Sequence, residues 1–399
     1  METVPYTSAA AGHEGISTSA DGTLLIKPCT KAEIDFYESA KDHPAFQAHM
    51  PVYMGHLSQA SPELQSQASL LQQQQTSNAA PASLAPPASP FAVVAAAAKI
   101  SANSHKRSAS GHITSEPLIA RSATKEWTPS GGAKLNSQLS IVLSNATAGF
   151  VRPNVIDLKL GARLWDDDAP AAKRKKLDDV AATSTSGRLG FRVAGMKVYV
   201  GNDAKVEREV NTEFADGFKT FNKFYGRDSI TDQNVGSAFE SFLYSLSLAP
   251  DSAKDDAQWQ RKLLLRRKIL VERFLREMSS IEYVLENEES RMYSASVLMV
   301  YEGDPDALEG VVRYKEENSV LVSAEGVEQP EDDEENDEED EEVDDDEPPK
   351  QKIHEVVMID FAHAHWTPGQ GSDENMLKGV RSIVKILEGL LGDTEGELK

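Results

Sequence analysis

Several things are scarce in this 399-residue chain. It has a single cysteine, Cys29, which excludes an internal disulfide and suits a reducing compartment. No apolar run approaches the roughly 18 residues a bilayer-spanning helix needs. The N-terminus has no basic stretch leading into an apolar core, so no secretory signal is expected. Basic residues are outnumbered 64 to 41 by acidic ones, which argues against a broadly basic nucleic-acid surface. That imbalance is local. Glu328–Glu347 holds 16 acidic residues and no basic one, so the rest of the chain carries only about −7 of the net −23. These absences describe a soluble, intracellular protein with no membrane span and no direct nucleic-acid contact. Nothing signals an oligomer, and a monomer is the default expectation.

Foldable sequence is also in short supply. Residues 58–136 are rich in Gln, Ala, Ser and Pro and include the run Gln72–Gln75. Residues 325–352 are dominated by acid. Neither can bury enough apolar surface to offset its chain entropy. Both are expected to be disordered insertions, and residues 1–9 a disordered tail. The acidic insertion should loop away from any anion-binding cleft. Roughly 290 residues remain, enough for one bilobal domain or two small ones.

Within those residues the patterns are clear. Asp21-Gly22 is a hairpin signal, followed by a strand at Thr23–Lys27. Thr30 with Glu33 reads as a capping box opening a helix from Lys31 to about Ser39, with Ile34 and Tyr37 on one face. Leu139–Leu143 is a strand. Pro153–Gly161 reads Pro-Asn-Val-Ile-Asp-Leu-Lys-Leu-Gly. In a strand, alternation puts Val155, Asp157 and Lys159 on one face and Ile156, Leu158 and Leu160 on the other. Asp168, as N-cap, and Pro170 start a helix whose stripe is Leu177, Val180 and Ala181. Lys173 and Arg174 flank that stripe, and Lys175 points away. Gly190–Tyr199 is a strand with a bend at Gly195.

Further along, Thr231 or Asp232 caps a helix carrying Val235, Phe239, Phe242 and Leu243. A long helix from about Asp255 to Glu288 has its stripe at Trp259, Leu263, Leu270, Phe274, Met278, Ile281 and Leu285. Its basic residues from Arg261 to Lys268 are read as solvated. Tyr293–Tyr301 and His354–Ile359 are strands, the second ending at Asp360. Asp373 caps a last helix with Leu377, Val380, Val384, Leu387 and Leu391, stopped by Gly392.

Three features carry chemistry. Lys27 ends a strand after a glycine turn. Asp157 and Lys159 share one face of a rigid strand. Asp360 closes an apolar strand. A lysine for nucleotide phosphates, an acid–amine pair at an acceptor, and a carboxylate for a metal are the parts of ATP-dependent phosphoryl transfer. Mg²⁺ suits such a site, since it is held by one or two carboxylates and keeps water and phosphate oxygens as its other ligands.

At these residues the sequence resembles the inositol polyphosphate kinase family. The signature Pro-x-x-x-Asp-x-Lys-x-Gly is met by Pro153, Asp157, Lys159 and Gly161. The Ile-Asp-Phe motif is Ile359-Asp360-Phe361, continued by Ala362-His363-Ala364. The Ser-Ser-Leu-Leu motif is present as Ala295-Ser296-Val297-Leu298. Thr185–Arg192 (Thr-Ser-Gly-Arg-Leu-Gly-Phe-Arg) and the Asn154 and Leu160 of the signature look most like the fungal multikinase branch.

The resemblance implies an α+β, protein-kinase-like/ATP-grasp bilobal fold. Residues 10–57 and 137–152 would form the N-lobe and hinge. Residues 153–324 and 353–399 would form the C-lobe, with an inositol-binding helix at about 169–183. It implies ATP and Mg²⁺ as cofactors and inositol polyphosphates as substrates. Lys27 would hold the ATP phosphates, and backbone groups of Ser144, Asn145 and Ala146 would meet adenine. The hinge reads Leu143-Ser144-Asn145-Ala146-Thr147 rather than the usual Leu-Glu-Asp-x-Thr, so a ribose contact from Asn145 does not carry over. Asp157 would lie between nucleotide and acceptor hydroxyl, as base or as orienting group. Lys159 would stabilise the transferred phosphoryl, and Asp360 would bind the metal. Arg163, Lys173, Lys176, Lys223 and His363 would grip the acceptor's phosphates.

The leading expectation is an inositol polyphosphate multikinase acting on tris- and tetrakisphosphates. One alternative is a hexakisphosphate kinase that makes pyrophosphates. Another is a transcription-associated interaction protein using its acidic and low-complexity segments to meet basic nuclear proteins or transcription factors. Lys173–Lys176 also reads as a nuclear localisation patch, so nucleus and cytoplasm are both expected.

Overall fold

The structure, a computed structural model, describes residues 2–8, 10, 15–58, 137–202, 209–243, 257–312 and 352–399. The Gln/Ala-rich insertion and the acidic run lie almost wholly outside the described residues. Two sheets carry the rest. Strands β1 (Thr3–Pro5), β2 (Ser17–Ser19), β3 (Leu24–Pro28), β4 (Tyr53–Ser58) and β5 (Leu139–Ser144) form a sheet of order β1-β2-β3-β5-β4. Helices α1 (Lys31–Ser39) and α2 (Pro44–Gln47) follow β3.

The second sheet has the order β12-β11-β6-β7-β9-β8. Its strands are β6 (Pro153–Leu160), β7 (Phe191–Tyr199), β8 (Thr212–Ala215), β9 (Phe218–Phe221), β11 (Ser296–Glu302) and β12 (His354–Ile359). A two-stranded ribbon pairs β10 (Ser290–Met292) with β13 (Ala364–Trp366). The remaining helices are α3 (Ala171–Thr183), α4 (Thr185–Leu189), α5 (Val235–Phe242), α6 (Ala257–Asn287) and α7 (Glu374–Leu398).

The α+β expectation holds, and the alternation read in β6 is what organises it. Ile156, Leu158 and Leu160 are each fully buried in the main core, while Val155 packs in a small separate cluster with Ala10 and Val300. β6 is therefore buried on both faces, and Asp157 and Lys159 sit on the face with the smaller apolar layer. α1 begins as expected: Thr30 Oγ1 accepts from Glu33 N at 3.2 Å, and Ile34 and Tyr37 are buried.

Several expectations fail for identifiable reasons. Residues 1–9 are not wholly a loose tail: Thr3–Pro5 pairs with Ser17–Ser19, and Lys197 Nζ donates to Thr7 O at 2.8 Å. A three-residue strand is too short to show periodicity. Asp168 does not cap α3; Pro170 is the N-cap, with no side-chain bond. α5 is capped by Asn234, whose Oδ1 takes Thr231 N at 2.6 Å, while Asp232 pairs with Arg188. The strand expected from Tyr293 starts only at Ser296, because Ser294 has a φ of 65°.

On α6 the basic residues are not all solvated. Arg266 is buried and pairs with Glu309. Gly392 does not stop α7, which continues to Leu398. Past the glycine, Thr394 is buried and Glu395 meets Lys268 of α6 at 2.9 Å. Tertiary contact overrides the weak helix propensity of glycine.

One close approach fixes the position of α7. Gly190, at φ 74°, ends α4 and lies against Gly379. A Cβ at Gly190 would come within 2.7 Å of Gly379 N, and one at Gly379 would clash with Gly190 O and reach Leu160 Cδ2 at 3.1 Å. Gly379→Ala is therefore expected to destabilise the protein by about 1–3 kcal/mol through overpacking. Thermal denaturation checks this; an unchanged melting temperature would mean that α7 can shift at no cost.

Candidate active site

The two sheets meet where β3 and β12 end. Phe361, wholly buried, stacks on Phe36 with centroids 4.9 Å apart and meets Tyr37 and Phe46 edge-on at 5.3 and 5.9 Å. Phe36 in turn stacks on Trp366 at 4.8 Å. This aromatic cluster holds the end of β12 against α1. The residue before Phe361 is thereby pinned. Asp360 takes a left-handed backbone, φ 68°, a conformation that Asp tolerates better than most residues but that still costs energy.

The strain aims the Asp360 carboxylate at Lys27. Lys27 Nζ lies 2.5 Å from Asp360 Oδ1 and 2.9 Å from Glu33 Oε1. On the other side, Lys159 Nζ is 4.0 Å from Asp360 Oδ2 and donates to Ser294 O at 2.6 Å. Residues 333 positions apart in the chain are thus bonded directly. Asp157, two residues along β6 from Lys159, is buried, and its Oδ1 has no hydrogen-bond partner.

The charges settle one another. Burial opposes the Lys27 ammonium, but Asp360 and Glu33 outweigh it and hold its pKa above the ordinary lysine range. Burial pushes the Asp157 carboxyl up to about 6, against the pull of Lys159 and with help from Asp360. Burial also lowers Lys159, although both carboxylates resist.

The register of the sheet adds a residue that the sequence reading missed. Arg192 stands opposite Lys159 across the β6–β7 ladder, on the face of Asp157. The ladder shifts between Asp157 and Leu158, so that Asp157 faces Gly195, Leu158 faces Val193 and Ala194 bulges out. The bend expected at Gly195 falls beside this bulge. Arg192 is buried and donates to Ser186 Oγ at 3.0 Å. Burial and the nearby Arg227 lower its pKa to about 10.

The expected acceptor grips divide. Lys173 Nζ is 3.4 Å from His363 Nε2, and His363 Nδ1 meets Asp166. An ammonium only donates, so His363 is neutral with its proton on Nδ1 toward Asp166. Burial and Lys173 lower its pKa accordingly. Arg163 is diverted: its guanidinium stacks over Trp165 at 4.0 Å and Tyr293 at 4.8 Å and pairs with Asp167. Lys176 is on the exposed side of α3, and Lys223 lies over the Phe224 ring at 5.6 Å.

The hinge is also partly committed. Ser144 N donates to Val52 O and Asn145 N to Thr23 O. The Asn145 amide is buried, donating to Gly22 O and accepting from Thr147. The backbone N–H groups of Ser144 and Asn145 are therefore engaged within the protein, and the Asn145 side chain faces its own turn. Ala146 keeps backbone groups that bond no other described residue.

Glu33 is the second residue missed. Read as a helix cap, it instead gives Lys27 a carboxylate from α1. The third is Asn375 in the first turn of α7, which clamps the turn after β6 by accepting from Ala162 N at 2.9 Å and Arg163 N at 2.8 Å.

Among the described residues no group of three or more His, Cys, Asp or Glu side chains is set to enclose a metal. A closed cage is not what phosphoryl transfer requires, since one or two carboxylates suffice for Mg²⁺. Asp360 fits that donor set, and the buried Oδ1 of Asp157 beside it is left without a hydrogen-bond partner. A strand-end lysine paired to a helix glutamate, a strained strand-end aspartate, and an acid–amine pair on one strand face define a kinase-type phosphotransferase site.

Comparison with known proteins sharpens that class. Residues 140–388 match the family model described as inositol polyphosphate kinase, and the chain belongs to that family. It is 31% identical to the inositol polyphosphate multikinase of Saccharomyces cerevisiae, over 94% of this chain and 95% of that one. It is 25% identical to the Schizosaccharomyces pombe multikinase over 96% of each. Human inositol hexakisphosphate kinase 1 is 28% identical over only 62% of this chain and 52% of its own. The crystal structure of an S. cerevisiae inositol phosphate multikinase in complex with ADP and Mn²⁺ shares the fold, with a TM-score of 0.53 and 24% identity, covering 93% of this chain and 100% of that one.

Proposed function

We propose that this protein is an ATP-dependent inositol polyphosphate multikinase that uses Mg²⁺ and phosphorylates hydroxyls of inositol tris- and tetrakisphosphates. The observation that carries this is the convergence of Lys27, Asp157, Lys159 and Asp360 around one point, inside a chain that bears the family signature at Pro153–Gly161. Lys27, fixed by Glu33, holds the nucleotide's phosphates. Asp360 would hold Mg²⁺, which when bound offsets the negative charge of the transferring phosphoryl group.

Asp157 accepts a hydrogen bond from the acceptor hydroxyl through its unpartnered Oδ1. A carboxyl pushed up to about 6 is matched to taking a proton near neutral pH. Lys159, free to turn from Ser294 O, stabilises charge on the moving phosphoryl. Lys173, positioned by His363, and Arg192 supply cations for the acceptor's phosphates. The adenine contact falls to Ala146 in the hinge and to the apolar layer of Val155, Leu298 and Val300. The basic run Lys173–Lys176 and the acidic segment Glu328–Glu347 support a nuclear as well as cytoplasmic location, with basic nuclear proteins as partners of the acidic segment.

A panel of inositol phosphates incubated with ATP and Mg²⁺, with product positions assigned, tests the reading. Esters formed on trisphosphate and tetrakisphosphate rings support it. Turnover of the hexakisphosphate alone would replace it with the pyrophosphate-forming alternative. A second expectation concerns Glu33. Glu33→Gln removes one of the two carboxylates on Lys27 and should lower kcat/KM for ATP about 10-fold. Varying ATP at saturating acceptor measures this, and an unchanged value would return Glu33 to a purely structural role.

A further inference from the structure

Beside the site, two arginines, Arg192 and Arg227, form no salt bridge among the described residues. β9 pairs with β7 only along Met196–Tyr199, so the edge of β7 at Phe191–Val193 is open on that side. A π-helical turn, Tyr225–Ser229, fills the gap. Its Gly226 presses on the β7 backbone so closely that any Cβ there would clash with Val193 O. Such turns recur at functional sites. The next residue, Arg227, is thereby set beside Arg192, whose guanidinium feels its charge.

This arrangement is unfavourable as it stands. Arg227 is half-buried, and its Nε is removed from solvent without a hydrogen-bond partner. Among the described residues no salt bridge joins Arg227 or Arg192 to a carboxylate, and the only acid acting on Arg192 is Asp157. Two like charges with an unmet buried donor cost stability. An anion between them would satisfy the orphaned donor and remove the repulsion. Arg192 already lies across the ladder from Lys159, so that anion would belong to a molecule reaching the phosphoryl-transfer site.

We propose that Arg227 joins Arg192 in a two-arginine subsite that binds a ring phosphate of the acceptor, one not on the reacting carbon. This deepens the kinase reading and rests on it. The guanidinium fork suits a phosphate better than a lysine would. Among the described residues no hydrogen bond or salt bridge joins Arg227 to Lys27, Asp157, Lys159 or Asp360, so in this proposal it contributes to acceptor binding and not to the chemical step.

The test is calorimetric titration of inositol tetrakisphosphate, without nucleotide, into the full chain, its Arg227→Ala form and its Arg227→Lys form. Arg227→Ala should weaken binding about 10- to 100-fold, the size expected for a lost charge-assisted contact. Arg227→Lys should weaken it less, and ATP affinity should hold in both. In turnover, the acceptor KM should rise while kcat stays near wild type. Acceptor binding within about 2-fold of wild type in Arg227→Ala would overturn the subsite while leaving the kinase reading intact. So would a parallel fall in ATP affinity and melting temperature, which marks a packing role. Wild-type protein that binds no inositol phosphate would overturn both.

Discussion

Asp360→Ala is expected to abolish kinase turnover, by about 10³-fold or more, because metal charge stabilisation and nucleotide placement are lost together. Among the described residues Asp360 is the one carboxylate with salt bridges to both Lys27, at 2.5 Å, and Lys159, at 4.0 Å. Without it the two ammonium groups share a cleft with Glu33 as the nearest acid on one side and Asp157 on the other. Asp360→Asn is the sharper variant. Asparagine tolerates the left-handed φ of 68°, so the backbone stays in place while the negative charge goes. Both variants should lose activity, and the Asn form should keep its melting temperature within a few degrees. Steady-state turnover and thermal denaturation measured on the same samples check this. More than a tenth of wild-type activity in Asp360→Asn would mean that the charge is not needed.

Asp157→Asn should do two things at once. Turnover should fall by about 10²- to 10⁴-fold, the range for a positioned proton acceptor. Stability at pH 8 should rise. The native carboxyl sits at about 6 instead of its ordinary 3.8, so the folded state holds its proton more tightly than the unfolded chain. Ionising it in place therefore opposes folding, by on the order of 2–3 kcal/mol. That cost is fully present above pH 6 and disappears as the pH falls from 6 toward 4. The stability gap between Asp157→Asn and wild type should be largest at pH 7–8 and close in acid. Melting curves across that range decide it. A variant less stable than wild type at pH 8 would show that Asp157 is a structural partner of Lys159 and not a strained functional acid.

The sequence made some of this visible. β6 was legible because charged and apolar residues alternate strictly from Ile156 to Leu160, and the pleat turns alternation into two faces. β12 was legible as the apolar run Val356–Ile359 bounded by an acid on each side. The start of α1 was legible in Thr30, since a cap bond is local. What escaped was whatever depends on distant partners. Glu33 has a local reading as a cap, and only the fold brings Lys27 to it. Arg266 looks solvated until Glu309 arrives, and Arg163 looks available until Trp165 and Tyr293 stack on it. The role of Arg192 depends on a bulge at Ala194 that sets which β7 side chains face Lys159. A single inserted residue of this kind changes the facing and leaves almost no mark in composition. The end of α7 was misplaced because glycine propensity is worth only about 1 kcal/mol, less than the contacts Thr394 and Glu395 make.

The most direct measurement follows the phosphorus itself. ATP labelled at the γ-phosphate is incubated with the protein, Mg²⁺ and an inositol trisphosphate, and the label is traced. If Lys27, Asp157, Lys159 and Asp360 surround one transferring group, the label appears as a phosphate ester on the inositol ring, in step with the ADP released. Label released as inorganic phosphate, or left on ATP, would contradict the account.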